Sequence, residues 1–224
     1  MLVSNKDLRF SSLFPEEKRE SVTIVGLGGI GSHLIQMLLK MGDMNIVAYD
    51  PDTVEEHNIG TQEYRFQDIG KDKVIVWKER TKDYGTRIAG YPKRVTEDTI
   101  FNTTFVFSAV DTISARKDIF KAFLNSPVTR YLIDGRMAAL KGQVFRVDKE
   151  NDIEVHSYEK TIDFSDTDAD IVREPCTARA TVFCGSVIAG YMAAMYMGLC
   201  TKRYVPNKIE FSLITYTKVE EKWT

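Results

Sequence analysis

Three glycines, Gly26, Gly28 and Gly31, stand in the stretch VGLGGIGSHL between a short β-branched run and an apolar pattern of helical spacing. A strand-to-helix turn of this kind bares backbone N–H groups at the positive end of a helix dipole, which is a seat for phosphate. Asp50 follows 19 positions after Gly31, close to the interval of about 20 at which an acid reaches a ribose hydroxyl in dinucleotide-binding folds. NAD and ATP satisfy this pair of signals equally.

The residues that follow discriminate between them. Asp52, Asn58, Gln62 and Lys73 all fall in YDPDTVEEHNIGTQEYRFQDIGKDK, a single loop-to-helix passage. A nicotinamide dehydrogenase needs little there, because its adenine end rests in a mainly apolar slot. Moving a nucleotidyl group needs donors where charge develops on the α-phosphate and on departing pyrophosphate, and Lys73, Asn58 and Gln62 are of the right types. Taken singly, each also reads as a solvated loop residue, Lys73 above all. Asp111, in FSAVDTISAR, closes a fourth apolar run. The carboxyl end of a parallel strand faces the ligand crevice, so this carboxylate should project toward phosphates over Gly28 and Gly29. It would be repelled by a triphosphate unless a cation lay between them, and magnesium is the economical choice. Asp111 also reads as the N-cap of the next helix, a role compatible with the first.

The elements that position these residues follow from periodicity. Val22 to Val25 read as a strand, Ile30 to Met41 as a helix and Asn45 to Asp50 as a second strand, a βαβ unit with the acid at its end. The polar stretch from Pro51 to Gly70 is long for a connection in a compact domain, and such loops are commonly functional. A helix from Lys71 to about Lys82, strands in TRIAGY and TFVFSAVD, an amphipathic helix in SARKDIFKAFLNS and a strand in RYLIDGRM continue the pattern. KGQVFRVDKENDIEVHSY alternates apolar and polar residues around Glu150 to Asp152, which predicts a hairpin. A small-residue helix, Val182 to Leu199, and a strand pair in KIEFSLITYTKVEEKW complete the chain. The expected fold class is α/β, a Rossmann-like doubly wound mixed sheet, parallel in its first half with antiparallel strands appended in its second. One domain is expected over residues 1–224, with 1–20 as an N-terminal extension.

The chain has 224 residues, 30 Lys plus Arg against 32 Asp plus Glu, and a net charge of −2, which excludes a nucleic-acid polyelectrolyte and leaves no basis for direct nucleic-acid binding. Cys176, Cys184 and Cys200 have no CxxC spacing, so neither a disulfide framework nor a thiolate zinc site is indicated, and a reducing cytoplasm is the expected compartment. No apolar signal core opens the sequence, the longest apolar stretch is broken by Gly185, Ser186 and Gly190, and no membrane association is expected. His33, His57 and His156 are scattered and form no metal triad.

Together, VGLGGIGSHL, YDPDTVEEHNIGTQ, GKDK, FSAVDTISAR and IDGRMAALKGQV resemble the ubiquitin-activating-enzyme-like adenylyltransferases, the fold shared by sulfur-carrier activators. The resemblance runs from about Ser21 to Gly198. It implies ATP on Gly26, Gly28, Gly29 and Gly31, ribose held by Asp50 with Asp52 completing the Asp-x-Asp pair, phosphate contacts from Asn58 and Gln62, the family lysine at Lys73 and the metal-binding aspartate at Asp111, followed by Arg116. The family's Asn-x-x-Arg-Gln carries Thr61 in place of arginine. A cation is thereby lost, to be made good by Arg65, Lys71 or a partner subunit, or turnover is altered. The implied reaction is attack of the C-terminal carboxylate of a small ubiquitin-like or sulfur-carrier protein on the α-phosphate, giving an acyl-adenylate and pyrophosphate. Cys176, in REPCTARAT, stands where relatives place an acyl-accepting thiol or a substrate-tail crossover loop, expected to be mobile over 157–180, with Arg173 and Arg179 near enough in sequence to lower its pKa. The resemblance also implies a homodimer and no zinc. An NAD-linked oxidoreductase, and a catalytically silent nucleotide-binding partner subunit, stay open as alternatives.

Overall fold

The structure, a computed structural model, describes residues 10–42, 44–165 and 181–224. Its strands are β1 (Val22–Val25), β2 (Ile46–Tyr49), β3 (Ile88–Tyr91), β4 (Phe105–Ser108), β5 (Tyr131–Ala138), β6 (Lys141–Asp148), β7 (Lys208–Ser212) and β8 (Thr217–Glu221). They form one sheet in the order β3-β2-β1-β4-β5-β6-β7-β8. The first five run parallel, and β6, β7 and β8 are added antiparallel. Strand order reverses between β1 and β4, and a doubly wound sheet opens its ligand crevice at that point, beyond the carboxyl ends.

Both strands at the reversal, VTIV and FVFS, are buried throughout, as strands covered on two faces must be. Alternate residues serve opposite cores: Phe105, Phe107 and Ile133 join one cluster, while Val106 and Leu132 join the other. The first is filled by α1 (Gly31–Met41), α2 (Lys73–Arg80) and α5 (Val182–Cys200) through Leu34, Leu38, Trp77, Ile188, Met192 and Tyr196. The second is filled by α3 (Ile113–Asn125) and α4 (Asp152–Lys160) through Ile119, Phe120, Phe123 and Tyr158. By length and composition alone α5 would be long enough to cross a membrane, but half of that apolar window is buried inside the protein.

The hairpin expected around Glu150 to Asp152 is corrected by the structure. β6 instead turns back on β5 through Ala139 and Leu140, with Ala139 at φ +51°, and the segment after Asn151 is the helix α4. The alternation in DIEVHSY concealed a cap. Asn151 Oδ1 accepts the N–H groups of Ile153 and Glu154 at 3.1 and 3.3 Å, and Asn at an N-cap starts a helix. Glu154 is only 5% exposed because it accepts from Arg146 Nη1 at 2.7 Å and from the Asp148 N–H at 2.7 Å. The buried face is therefore Glu154 and Tyr158 at i, i+4. His156 lies on the exposed side of this helix rather than on a strand. Residues 157–160 close α4, and 166–180, with Arg173, Cys176 and Arg179, lie outside the described residues.

Candidate functional site

The glycine turn joins β1 to α1 at the reversal point. Gly26 has φ +90°, and a Cβ there would stand 2.7 Å from the Ala109 carbonyl oxygen at the end of β4. A Cβ on Gly31 would stand 1.8 Å from the Gly26 carbonyl oxygen. These two positions therefore require glycine. At Gly28 the added Cβ would meet nothing within 4 Å, so this face of the turn is open to a ligand.

The intervening Leu27 is gripped from both sides by the long loop. Its N–H donates to Asp50 Oδ2 at 2.6 Å and its carbonyl accepts from Tyr64 Oη at 2.8 Å. Tyr64 is 5% exposed, takes a hydrogen bond from Trp77 Nε1 at 3.3 Å, and lies beside the Arg80 guanidinium, which also binds the Glu63 carbonyl and Asp68. Sequence reasoning overlooked Tyr64, since a tyrosine in a polar loop carries no motif. Asp50 is 3% exposed, and its other oxygen accepts the Asp52 N–H at 2.8 Å. Burial raises the Asp50 pKa; the Lys73 charge and the two N–H bonds oppose the rise without cancelling it.

Lys73 opens α2 with its side chain 6% exposed and Nζ 3.1 Å from Asp52 Oδ2, whose own side chain is 60% exposed. A buried ammonium needs such a partner. The neck of the loop is clasped by Lys73 N–H to the Asp52 carbonyl at 3.0 Å, Val54 N–H to Lys71 at 2.8 Å and Gly70 N–H to Val54 at 2.8 Å. Asp50, Asp52 and Lys73 are thus brought together by the loop closing on itself. Lys71 turns away to Glu79 at 3.1 Å, and Arg65 is exposed.

Asn58, 4% exposed, caps a short 3-10 turn by accepting the Glu55 N–H at 2.9 Å, and its carbonyl accepts from Thr61 and Gln62 at 3.2 and 2.9 Å. Gln62 Oε1 is buried with no hydrogen-bond partner among the described residues. Half a turn of the terminal amide places a donor there instead, an exchange that heavy-atom positions do not distinguish.

Asp111 follows β4 and is exposed. The N-cap of α3 is Thr112, whose Oγ1 accepts the Ala115 N–H at 3.3 Å, so the capping role considered for Asp111 falls to its neighbour. Arg116, 6% exposed, fixes this turn by donating to the carbonyls of Val110 at 2.5 Å and Thr112 at 3.4 Å and to Asp134 Oδ1 at 3.1 Å. Asp134 is fully buried and also takes Arg136 Nε at 2.6 Å. Burial alone would raise its pKa, but the two guanidinium groups outweigh that and hold it below the usual carboxylate range. Of the cysteines, Cys184 and Cys200 have thiols pushed up to about 11 by burial, which disqualifies them as ready nucleophiles.

Comparison with known proteins agrees with this geometry. A model described as the ThiF family matches residues 14–224. A sulfur carrier protein adenylyltransferase of Thermus thermophilus is 30% identical over 120 residues, covering 52% of this chain and 41% of the relative. The matched stretch is thus less than half the length of that relative. Among solved structures, PaaA superposes with a TM-score of 0.71 at 21% identity, and E. coli MccB crystallised with ATP superposes with 0.67 at 16% identity; each comparison covers 92% of this chain and 64% of the other. These two likenesses confirm the mixed α/β sheet. On the match over nearly its whole length, the chain belongs to the ThiF family.

Proposed function

We propose that this chain catalyses ATP-dependent adenylation of the C-terminal carboxylate of a ubiquitin-like or sulfur-carrier protein, with release of pyrophosphate. The observation that carries the reading is the juxtaposition at the sheet reversal: a glycine turn with one open face, held rigid at Leu27, beside a nearly buried ammonium at Lys73. The residues present fit ATP. Gly26, Gly28, Gly29 and Gly31 would face its phosphates, and Asp50 retains a lone pair on each oxygen for the ribose. Gln62 has an unmatched amide atom, and Asn58 lies four residues before it. Asp111 is the exposed carboxylate that would hold magnesium against phosphate oxygens, whose hard charge the ion would neutralise.

The chain's own part is alignment. The attacking carboxylate oxygen forms its bond to the α-phosphorus while the bond to pyrophosphate breaks and its electron pair leaves with pyrophosphate. A carboxylate is already ionised at neutral pH, so no general base is required. Lys73 supplies positive charge and Asp52 holds it in place. ATP–pyrophosphate exchange with candidate carrier proteins tests this reading: exchange that survives both Lys73→Ala and Asp111→Asn would refute it.

Two other readings make different predictions. A nicotinamide-linked oxidoreductase predicts tight NADH binding without ATP binding. A silent partner subunit, which Thr61 in place of arginine favours, predicts ATP binding without exchange. Transfer to Cys176 is a further proposal: Cys176→Ala should still form adenylate but lose a thiol-sensitive conjugate. The chain is also proposed to work as a homodimer in a reducing compartment, supported by the exposed apolar residues Val182 and Phe183 at the start of α5 and by the absence of CxxC pairs.

A further inference from the structure

Asp111 stands in the bend between β4 and α3 with its side chain exposed. The backbone on either side of it is held by a single buried group. Arg116, in the first turn of α3, is 6% exposed; its Nη2 donates to the Val110 carbonyl at 2.5 Å and its Nη1 to the Thr112 carbonyl at 3.4 Å. One guanidinium thus spans the carbonyls that precede and follow Asp111. The same bend walls the glycine turn, since a Cβ on Gly26 would meet the Ala109 carbonyl oxygen at 2.7 Å and Val110 Cγ1 at 3.3 Å.

The guanidinium is itself anchored to β5. Nε donates to Asp134 Oδ1 at 3.1 Å, and Nη2 also reaches the Gly135 carbonyl at 3.3 Å. Asp134 is fully buried and pairs in register with Ser108 at the end of β4, so the anchor belongs to the sheet and not to a loop. Four acceptors on two elements are met by one planar fork, a geometry that only arginine offers, because an ammonium is a compact point charge with three donors. The second guanidinium on Asp134 serves a different place. Arg136 binds Asp134 Oδ2 through Nε at 2.6 Å and directs its other donors to the Thr161 carbonyl and Oγ1, at 3.0 and 2.9 Å, at the end of α4.

We propose that Arg116 is a positioning residue: by tying both peptide units that flank Asp111 to β5, it holds that carboxylate where it can share a divalent cation with phosphates on the glycine turn. This role rests on the reading of Asp111 as the magnesium-holding carboxylate of an adenylation site. Arg116 acts through the backbone and touches neither ion nor nucleotide. Lysine in its place would keep the charge and the pairing with Asp134 but lose the span across the bend. Groups that orient a metal ligand in this way are worth about 10- to 100-fold in metal affinity.

The test titrates Mg2+ into the full chain with ATP and reads ATP affinity by calorimetry, with EDTA giving the metal-free point. Arg116→Lys should raise the Mg2+ concentration of half-maximal effect about tenfold or more, while ATP affinity in EDTA stays within about threefold of wild type. Asp111→Asn should abolish the magnesium effect, and adding Arg116→Lys to it should change nothing further. Arg136→Lys, which shares Asp134 but not the bend, should keep the wild-type midpoint. Should Arg116→Lys fail to fold, Arg116→Gln is read in the same way. A wild-type midpoint in the Arg116 variant, equal losses with and without magnesium, additive losses in the double variant, or the same shift in Arg136→Lys overturns the proposal. So does a wild type whose ATP affinity ignores magnesium. Absence of exchange from the wild type, with this magnesium pattern intact, would refute adenylation and leave the role of Arg116 standing; a wild type that binds no ATP overturns both.

Discussion

Asp50 and Asp134 are both buried, yet their pKa values move in opposite directions, because two guanidinium groups flank Asp134 and outweigh the effect of burial. Asp50 has its pKa raised above 3.8, so its contribution favours the fold below that pH and is lost as pH rises through the folded value. Asp134 has its pKa lowered from 3.8, so its contribution is fully present above that value and is lost as pH falls through the folded one. Asp134→Asn should cost about 3–5 kcal/mol at neutral pH, because two buried guanidinium groups lose their counter-charge. Urea unfolding at stepped pH checks this: the gap between wild type and variant should narrow below pH 3.8. Lys73→Ala makes the complementary prediction for activity. ATP–pyrophosphate exchange should drop by about 10² or more as donor charge at the phosphates is removed.

At the scale of elements, the glycine turn separates stability from binding. Gly31→Ala drives a methyl group into the Gly26 carbonyl and should cost about 3 kcal/mol or more, as forced overpacking does. Gly28→Ala meets no atom of the protein; it should leave stability within about 0.5 kcal/mol yet weaken ATP binding about tenfold or more. Chemical denaturation and calorimetry on the two variants would show whether the open face is the ligand face. The turn, its flanking strand and helix, and Asp50 were legible in the sequence because glycine spacing and hydrophobic period are local signals. The grip of Tyr64 on Leu27 and the clasp at Lys71 were not, since each depends on a loop folding back over more than fifteen residues. The α4 misreading has a different cause. Ile153 and Val155 suggest alternation, and only the Asn151-x-x-Glu154 cap with its buried glutamate reveals the helical period.

For the whole molecule, the long first core is shared by the strands β1 to β7 with α1, α2 and α5. Residues from both halves of the chain thus support one nucleotide crevice. α5 turns Ile188, Met192 and Tyr196 inward but leaves Phe183 52% exposed, and the proposed homodimer would cover that end. Phe183→Glu should then convert dimer to monomer in light scattering with unchanged far-ultraviolet circular dichroism; a wild-type protein that is monomeric at high concentration would remove the dimer from the account.

The adjacency of β1 and β4 has a further consequence for how the protein is made. Thr23 and Thr103 share a hydrogen bond of 2.7 Å across 80 positions of chain, and the end of β4 is the wall against which Gly26 closes. A ribosome therefore extrudes the phosphate loop long before it extrudes the strand that shapes it. Loop closure over such separations is slow, so the nucleotide seat forms late in synthesis, and nascent chains arrested short of β4 will not be retained on an ATP resin.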